Sequence, residues 1–212
     1  MTLVKICGLT EPQTRDAAIH AHATHLGFVF FPPSPRHLEN ERAAALAAPV
    51  PVHIARVGVF VDPDDALLDA AIHAARLTIL QLHGHETPAR TAHVRARFGL
   101  ETWKAAPVRT VQDIAATAAY AGAADLILLD AKAPEGAPLP GGNGLRFDWH
   151  ILAQARPAMP WGLSGGLTPA TVAEAIRTTG APLVDVSSGV ETAPGVKSAD
   201  LIRQFIEAAH AA

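Results

Sequence analysis

A single cysteine in 212 residues excludes an intrachain disulfide framework and any zinc or iron–sulfur site built on several thiolates. It suits a reducing compartment, and a cytoplasmic location is the expectation. Aromatic residues make up only 5% of the chain, and no rows of stacking platforms for single-stranded nucleic acid are present. Basic residues are not in excess: 17 Lys+Arg against 20 Asp+Glu leave a formal charge of -3, so no nucleic-acid partner is expected. That balance still leaves room for a local pocket that binds a small anion. No apolar run approaches the ~18–20 residues needed to span a bilayer. The opening MTLVKICGLTEP has neither a basic start with a long apolar stretch nor a small-residue cleavage site, so neither a membrane partner nor a targeting segment is expected. Charged residues at 17% and hydrophobic residues at 49% are the reverse of the balance that keeps a chain disordered.

Short runs rich in Val, Ile and Leu alternate with alanine-rich amphipathic stretches. The apolar runs predict buried strands near Leu3–Leu9, His25–Phe30, His53–Val61, Leu77–His83, Glu101–Val108, Asp125–Ala131, Trp161–Gly165 and Leu183–Ser188. Most are continuous rather than alternating, as in a parallel sheet covered on both faces. Helices are predicted over Gln13–His22, Ala66–Ala75, Asp148–Arg156, Ala170–Thr178 and Ala199–Ala209. Thr10-Glu11-Pro12, Asp62-Pro63-Asp64-Asp65, Thr168-Pro169 and Ser198 mark starts, and Gly180 marks a stop. Strand starts recur about every 22–28 residues, with one longer step across the glycine- and proline-rich stretch Lys132–Arg146. The units do not resemble one another in sequence, which argues against a solenoid. Roughly eight strand–helix units in a chain of this length predict a (β/α)8 TIM barrel occupying residues 1–212 as one domain. A doubly wound open sheet is the competitor. It often carries a glycine-rich phosphate turn after the first strand, and Ile6-Cys7-Gly8-Leu9-Thr10 lacks one.

In such a barrel the chemistry sits at the carboxyl ends of the strands. The polar residues there are Lys5, Cys7, Arg36, Gln81, His83, Lys104, Asp130, Ser164, Asp185, Ser187 and Ser188. Two glycine-containing turns, Ser164-Gly165-Gly166-Leu167 and Ser187-Ser188-Gly189-Val190, follow the last two strands. Their backbone N–H groups predict a phosphate site, against the plainer reading of two tight turns. Cys7 and Asp130 end the first and sixth strands. Alone, a cysteine in an apolar run is more often a small core residue and a strand-end aspartate a cap. Together above a phosphate site, they suggest proton transfer in both directions. Arg36 follows three prolines, Pro32, Pro33 and Pro35, and on a stiff loop it can clamp a carboxylate, or it is simply a surface arginine. His20, His22 and His25 run from a helix into a strand, and His83 and His85 lie two apart with Glu86 beyond; no metal is expected.

Lys5-Ile6-Cys7-Gly8-Leu9-Thr10, Phe31-Pro32-Pro33-Ser34-Pro35-Arg36, Gln81-Leu82-His83-Gly84, Leu128-Leu129-Asp130, Gly141-Gly142-Asn143-Gly144 through Phe147-Asp148-Trp149, Leu163-Ser164-Gly165-Gly166-Leu167 and Val184-Asp185-Val186-Ser187-Ser188-Gly189-Val190-Glu191 occur in this order. In that order and across nearly the whole chain, the sequence resembles the phosphoribosylanthranilate isomerases. The resemblance implies a cofactor-free (β/α)8 barrel of tryptophan biosynthesis that performs an Amadori rearrangement on a small phosphosugar, as a monomer or homodimer. It implies Cys7 as general base and Asp130 as general acid. Arg36 would meet the anthranilate carboxylate, and Gly165, Gly166, Ser188 and Gly189 would hold phosphate. Asp185 would lie near the sugar hydroxyls, and Gln81 and His83 would line the same mouth. Two positions depart from the usual pattern: Asn143 stands where threonine or serine is common, and Ser198 where aspartate often follows the lysine, here Lys197.

Lys5, two residues from Cys7 on one strand, is the candidate for favouring a thiolate, and a cationic iminium intermediate would add to it. Asp130 is expected where charge is poorly solvated. The isomerase of histidine biosynthesis is the nearest rival, but it uses two aspartates and two phosphates. A metal-dependent pentose-phosphate epimerase and a non-catalytic phosphate sensor are further alternatives.

Overall fold

The computed structural model describes residues 2–131 and 148–212. The long connection expected over Lys132–Arg146, with Asn143, lies outside the described residues, as does Phe147. The first half of the chain runs β1 (Leu3–Cys7), α1 (Pro12–His20), β2 (His25–Phe30), α2 (Asn40–Ala47), β3 (Ala55–Phe60), α3 (Asp65–Ala75), β4 (Ile79–Leu82) and α4 (Pro88–Phe98). Then come β5 (Glu101–Val108), α5 (Val111–Ala116), a 3-10 turn over Thr117–Tyr120, β6 (Leu126–Ala131), α6 (Ile151–Gln154), β7 (Trp161–Leu163), α7 (Val172–Thr179) and β8 (Leu183–Val186). A 3-10 turn over Ser188–Val190 leads into a ribbon of β9 (Glu191–Ala193) and β10 (Val196–Lys197), and α8 (Ala199–His210) follows. β1 to β8 pair in sequence order, all parallel, and β8 pairs back onto β1 to close the barrel.

The eight predicted strands are all present, but several stop short of their apolar runs. Pairing ends at Cys7, Leu82, Leu163 and Val186 rather than at Leu9, His83, Gly165 and Ser188. Gly8, His83 and Ser164, next beyond three of these ends, still donate their N–H groups to the neighbouring strand. Four helix starts are set by a side-chain oxygen that accepts a first-turn N–H: Asp64 from Leu67, Thr87 from Arg90, Thr110 from Asp113, and Ser198 from Leu201. Ser198 thus caps as its residue type predicts. Glu11 precedes α1 without a side-chain cap. α7 begins at Val172 rather than Ala170, because the Thr171 hydroxyl accepts from the Thr168 N–H and holds a turn there. The helix expected over Asp148–Arg156 is reduced to Ile151–Gln154.

Two apolar layers result. The larger lies between the barrel wall and its helices and includes Val4, Ile6, Phe28, Phe60, Leu129, Val184 and Phe205. α8 contributes Ile202, Phe205, Ile206 and Ala209, spaced for one helical face. The smaller layer, inside the barrel, is Val57, Ile79, Trp103 and Leu183. Among the described residues no helix is long and apolar enough to cross a membrane.

Phe205 is fully buried on the outer wall, away from the barrel's interior. Phe205→Ala should therefore lower stability to urea by about 3–5 kcal/mol and leave KM unchanged; a changed KM would show that the outer layer shapes the mouth directly.

Candidate active site

Alternation along the strands decides which side chains enter the barrel. Val57, Ile79, Trp103 and Leu183, with Ala55 and Leu126 against them, form an apolar floor. Two residues further along the same faces come Val59, Gln81, Leu128 and Asp185, and then His83, Asp130 and Ser187. On β1 the inward face carries Lys5 and Cys7. The interior therefore turns polar toward the carboxyl ends of the strands.

Lys5 and Asp185 are partners in the β1–β8 register, and Lys5 Nζ donates to Asp185 Oδ1 at 2.9 Å. Lys5 is fully buried. Burial alone would push its ammonium down, but Asp185 and Cys7 outweigh that and hold it above its ordinary range. Cys7 packs against Val29, Val59 and Phe31. Burial pushes its thiol up; Lys5 pulls the other way and Asp185 adds to the rise. Lys5 thus acts in the expected direction and is outweighed, so Cys7 is a thiol in the free site.

Asp130 is 5% exposed. Its Oδ1 accepts from the Ala131 N–H at 3.0 Å, and its Oδ2 lies 3.1 Å from His83 Nε2. His83 Nδ1 lies 3.1 Å from Gln81 Nε2. The turn after β7 presses against this carboxyl. Gly165 has φ 85°, and a Cβ there would stand 2.5 Å from the Ala131 nitrogen and 3.0 Å from Asp130 Oδ1. A Cβ on Gly189 would stand 1.8 Å from the Leu167 carbonyl oxygen, so the turns after β7 and β8 also meet. The N–H groups of Gly165, Gly166, Ser188 and Gly189 donate to no described residue. Such N–H groups can receive an anion.

Arg36 is not a surface arginine; it is 6% exposed. Its Nε and Nη2 donate to Glu191 Oε1 and Oε2 at 2.7 and 2.8 Å, a bidentate clamp on a carboxylate of the chain itself. Lys197 Nζ donates to Glu191 Oε1 at 2.5 Å and to the Ser187 carbonyl and hydroxyl at 3.1 Å. The Ser187 hydroxyl donates to the Cys7 carbonyl at 3.2 Å. Burial opposes ionisation of Glu191, yet Arg36 and Lys197 outweigh it and hold its carboxyl at about 2. Neither Glu191 nor Lys197 stands out in the sequence as a site residue. Both lie on the short β9–β10 ribbon, whose one local signal is the turn pair Pro194-Gly195.

Lys104 serves the loop after β4 rather than the mouth. Its Nζ donates to Leu82 O, Gly84 O and Glu86 Oε2 at 3.4, 2.8 and 2.9 Å. The histidines disperse: His25 Nδ1 lies 2.7 Å from Thr24 Oγ1, and His85 pairs with Asp62 rather than with His83.

A closed (β/α)8 barrel with a thiol, a carboxyl and a ring of available N–H groups at one mouth defines an acid–base enzyme for a phosphorylated small molecule. A family model for N-(5'phosphoribosyl)anthranilate (PRA) isomerase matches residues 4–208. The N-(5'-phosphoribosyl)anthranilate isomerase of Paracoccus denitrificans is 58% identical over 208 residues, covering 98% of this chain and 97% of that one. The phosphoribosyl anthranilate isomerase structure from Thermotoga maritima superimposes with a TM-score of 0.88 at 35% identity over 100% of both chains. A further solved isomerase, in complex with reduced 1-(o-carboxyphenylamino)-1-deoxyribulose 5-phosphate, gives a TM-score of 0.83 at 32% identity over 100% of both chains. The chain belongs to the N-(5'-phosphoribosyl)anthranilate isomerase family, the isomerases of tryptophan biosynthesis.

Glu191 is depressed from 4.5 to about 2 in the fold, so its contribution to stability is complete above pH 4.5 and fades as pH falls toward 2. Glu191→Gln should cost about 3–5 kcal/mol at neutral pH and flatten the acid limb of a urea-midpoint-against-pH curve over that window. An unaltered acid limb would mean that the cluster with Arg36 and Lys197 does not couple to folding.

Proposed function

We propose that this mouth converts N-(5-phosphoribosyl)anthranilate, an aminoaldose, into 1-(2-carboxyphenylamino)-1-deoxyribulose 5-phosphate, an aminoketose, by acid–base Amadori rearrangement. One observation carries the reading: Cys7 and Asp130 are both buried on inward faces at the same end of the barrel, with the β7 turn against Asp130 and the β8 turn against the β7 turn.

Asp130 gives its proton to the furanose ring oxygen while the C1′–O bond breaks and the anthranilate nitrogen lone pair forms an iminium. Cys7 as thiolate takes the C2′ proton, and the electrons of that bond close the C1′–C2′ double bond and neutralise the iminium. The enol-amine then relaxes to the ketone, losing the enol proton and gaining one at C1′. Cys7 is a thiol before substrate arrives; the cationic iminium, added to Lys5, favours the thiolate, and the thiol proton passes to solvent before the C2′ proton is taken.

Phosphate is assigned to the N–H groups of Gly165, Gly166, Ser188 and Gly189, and the anthranilate carboxylate to Arg36. Glu191 fixes the plane of that guanidinium. Asp185, held by Lys5, is assigned to the sugar hydroxyls. Residues 1–212 act as one catalytic domain in the cytoplasm, as a monomer or homodimer. A lone free thiol suits that compartment. The two-aspartate chemistry of the histidine-pathway isomerase is disfavoured by the sulfur at position 7.

Cys7→Ala and Asp130→Asn should each lower kcat by about 10²–10⁴-fold with the far-ultraviolet spectrum unchanged, and Cys7→Ala should fail to restore tryptophan-independent growth to a host lacking this isomerase. Near-normal turnover in either variant removes that residue from the mechanism. Arg36→Ala should raise KM; if kcat falls instead at unchanged KM, the arginine acts in the transition state.

A further inference from the structure

Gln81 is 1% exposed on the inward face of β4. Its amide nitrogen meets His83 Nδ1 at 3.1 Å, and His83 Nε2 meets Asp130 Oδ2 at 3.1 Å. A neutral imidazole has one N–H and one lone pair, whereas an amide nitrogen only donates. Nδ1 facing that donor must therefore offer its lone pair, which leaves the ring proton on Nε2, aimed at Asp130. We propose that Gln81 is a positioning residue of this reaction: it selects the Nε2–H tautomer of His83, and through that N–H it holds Oδ2 of Asp130 and orients the carboxyl toward the sugar. The inference rests on Asp130 being the acid.

Two further observations support it. The backbone of His83 is secured without Gln81. Its N–H donates to Phe60 O at 2.7 Å, Lys104 takes the carbonyls of Leu82 and Gly84 on either side, and Glu86 accepts from the Gly84 N–H. Tautomer and ring orientation are what the amide is left to decide. Gln81 Oε1 is also buried without a hydrogen-bond partner among the described residues. A buried acceptor left unpaired is costly, and an apolar side chain of the same size would serve the fold better. The amide is kept for its donor side.

The charged groups packed around this face are otherwise committed. Lys104 pairs with Glu86 beneath the loop, and Lys5 with Asp185 across β1 and β8.

The test combines nitrogen-15 NMR of the histidine rings in the substrate-free enzyme with steady-state kinetics, for wild type, Gln81→Met and Gln81→Glu. Both variants nearly preserve side-chain volume, and the methionine adds no charge. Wild type should show His83 as the Nε2–H tautomer, Gln81→Met should lose that preference, and Gln81→Glu should reverse it to Nδ1–H. kcat should fall on the order of tenfold or more in Gln81→Met with KM close to wild type. An Nδ1–H tautomer in wild type, or a Gln81→Met enzyme with unchanged tautomer and kcat, overturns the proposal. So does a raised KM at full kcat, which would make Gln81 a direct substrate contact. Asp130→Asn separates the two levels: if it keeps turnover, the acid assignment fails on its own, whatever tautomer His83 adopts.

Discussion

Closing a parallel sheet on itself sends every second side chain of eight strands into one narrow space, and the site depends on how the charges in that space are compensated. The deepest of them are Lys5 and Asp185, whose side chains are 0% and 5% exposed. Two ions withdrawn that far from water are tolerated only as a pair, since either alone would carry a desolvation penalty of several kcal/mol. Register makes the pair possible, because β1 and β8 place the two residues side by side at the seam where the barrel closes. Below it the floor is apolar; above it Cys7 feels both charges at once.

From that seam the polar groups of the mouth divide into two networks. One runs from Arg36 through Glu191 and Lys197 to Ser187 and the Cys7 carbonyl, tying the loop after β2 to the turn after β8. The other runs from Gln81 through His83 to Asp130, with the Gly165 turn pressed against the carboxyl. The first holds a guanidinium and the backbone of Cys7; the second holds a carboxyl. Both leave polar ends at the mouth, held in place by hydrogen bonds within the chain.

Much of this was legible in the chain. The alternation of apolar runs and amphipathic stretches located all eight strands, and the competing open sheet fails because β8 pairs with β1. Capping was legible where a short polar side chain precedes the helix, as at Asp64 and Ser198, and failed at Glu11. Strand ends were overrun by one or two residues, where Gly8, His83 and Ser164 still donate to the neighbouring strand without extending the ladder. The ribbon of β9 and β10 was missed altogether. Its strands are three and two residues long, below the length at which periodicity distinguishes a strand.

Residue types and their order were thus determined by the sequence: a thiol on the first strand, a carboxyl on the sixth, glycine turns after the seventh and eighth. Their partners were decided only by tertiary structure. Arg36 finds Glu191 across 155 positions, Lys5 finds Asp185 across 180, and Asp130 finds His83 across 47. No local pattern encodes such distances. They exist because the ladder closes with one register, and a one-residue slip would turn Lys5, Asp185 and Asp130 out of the barrel.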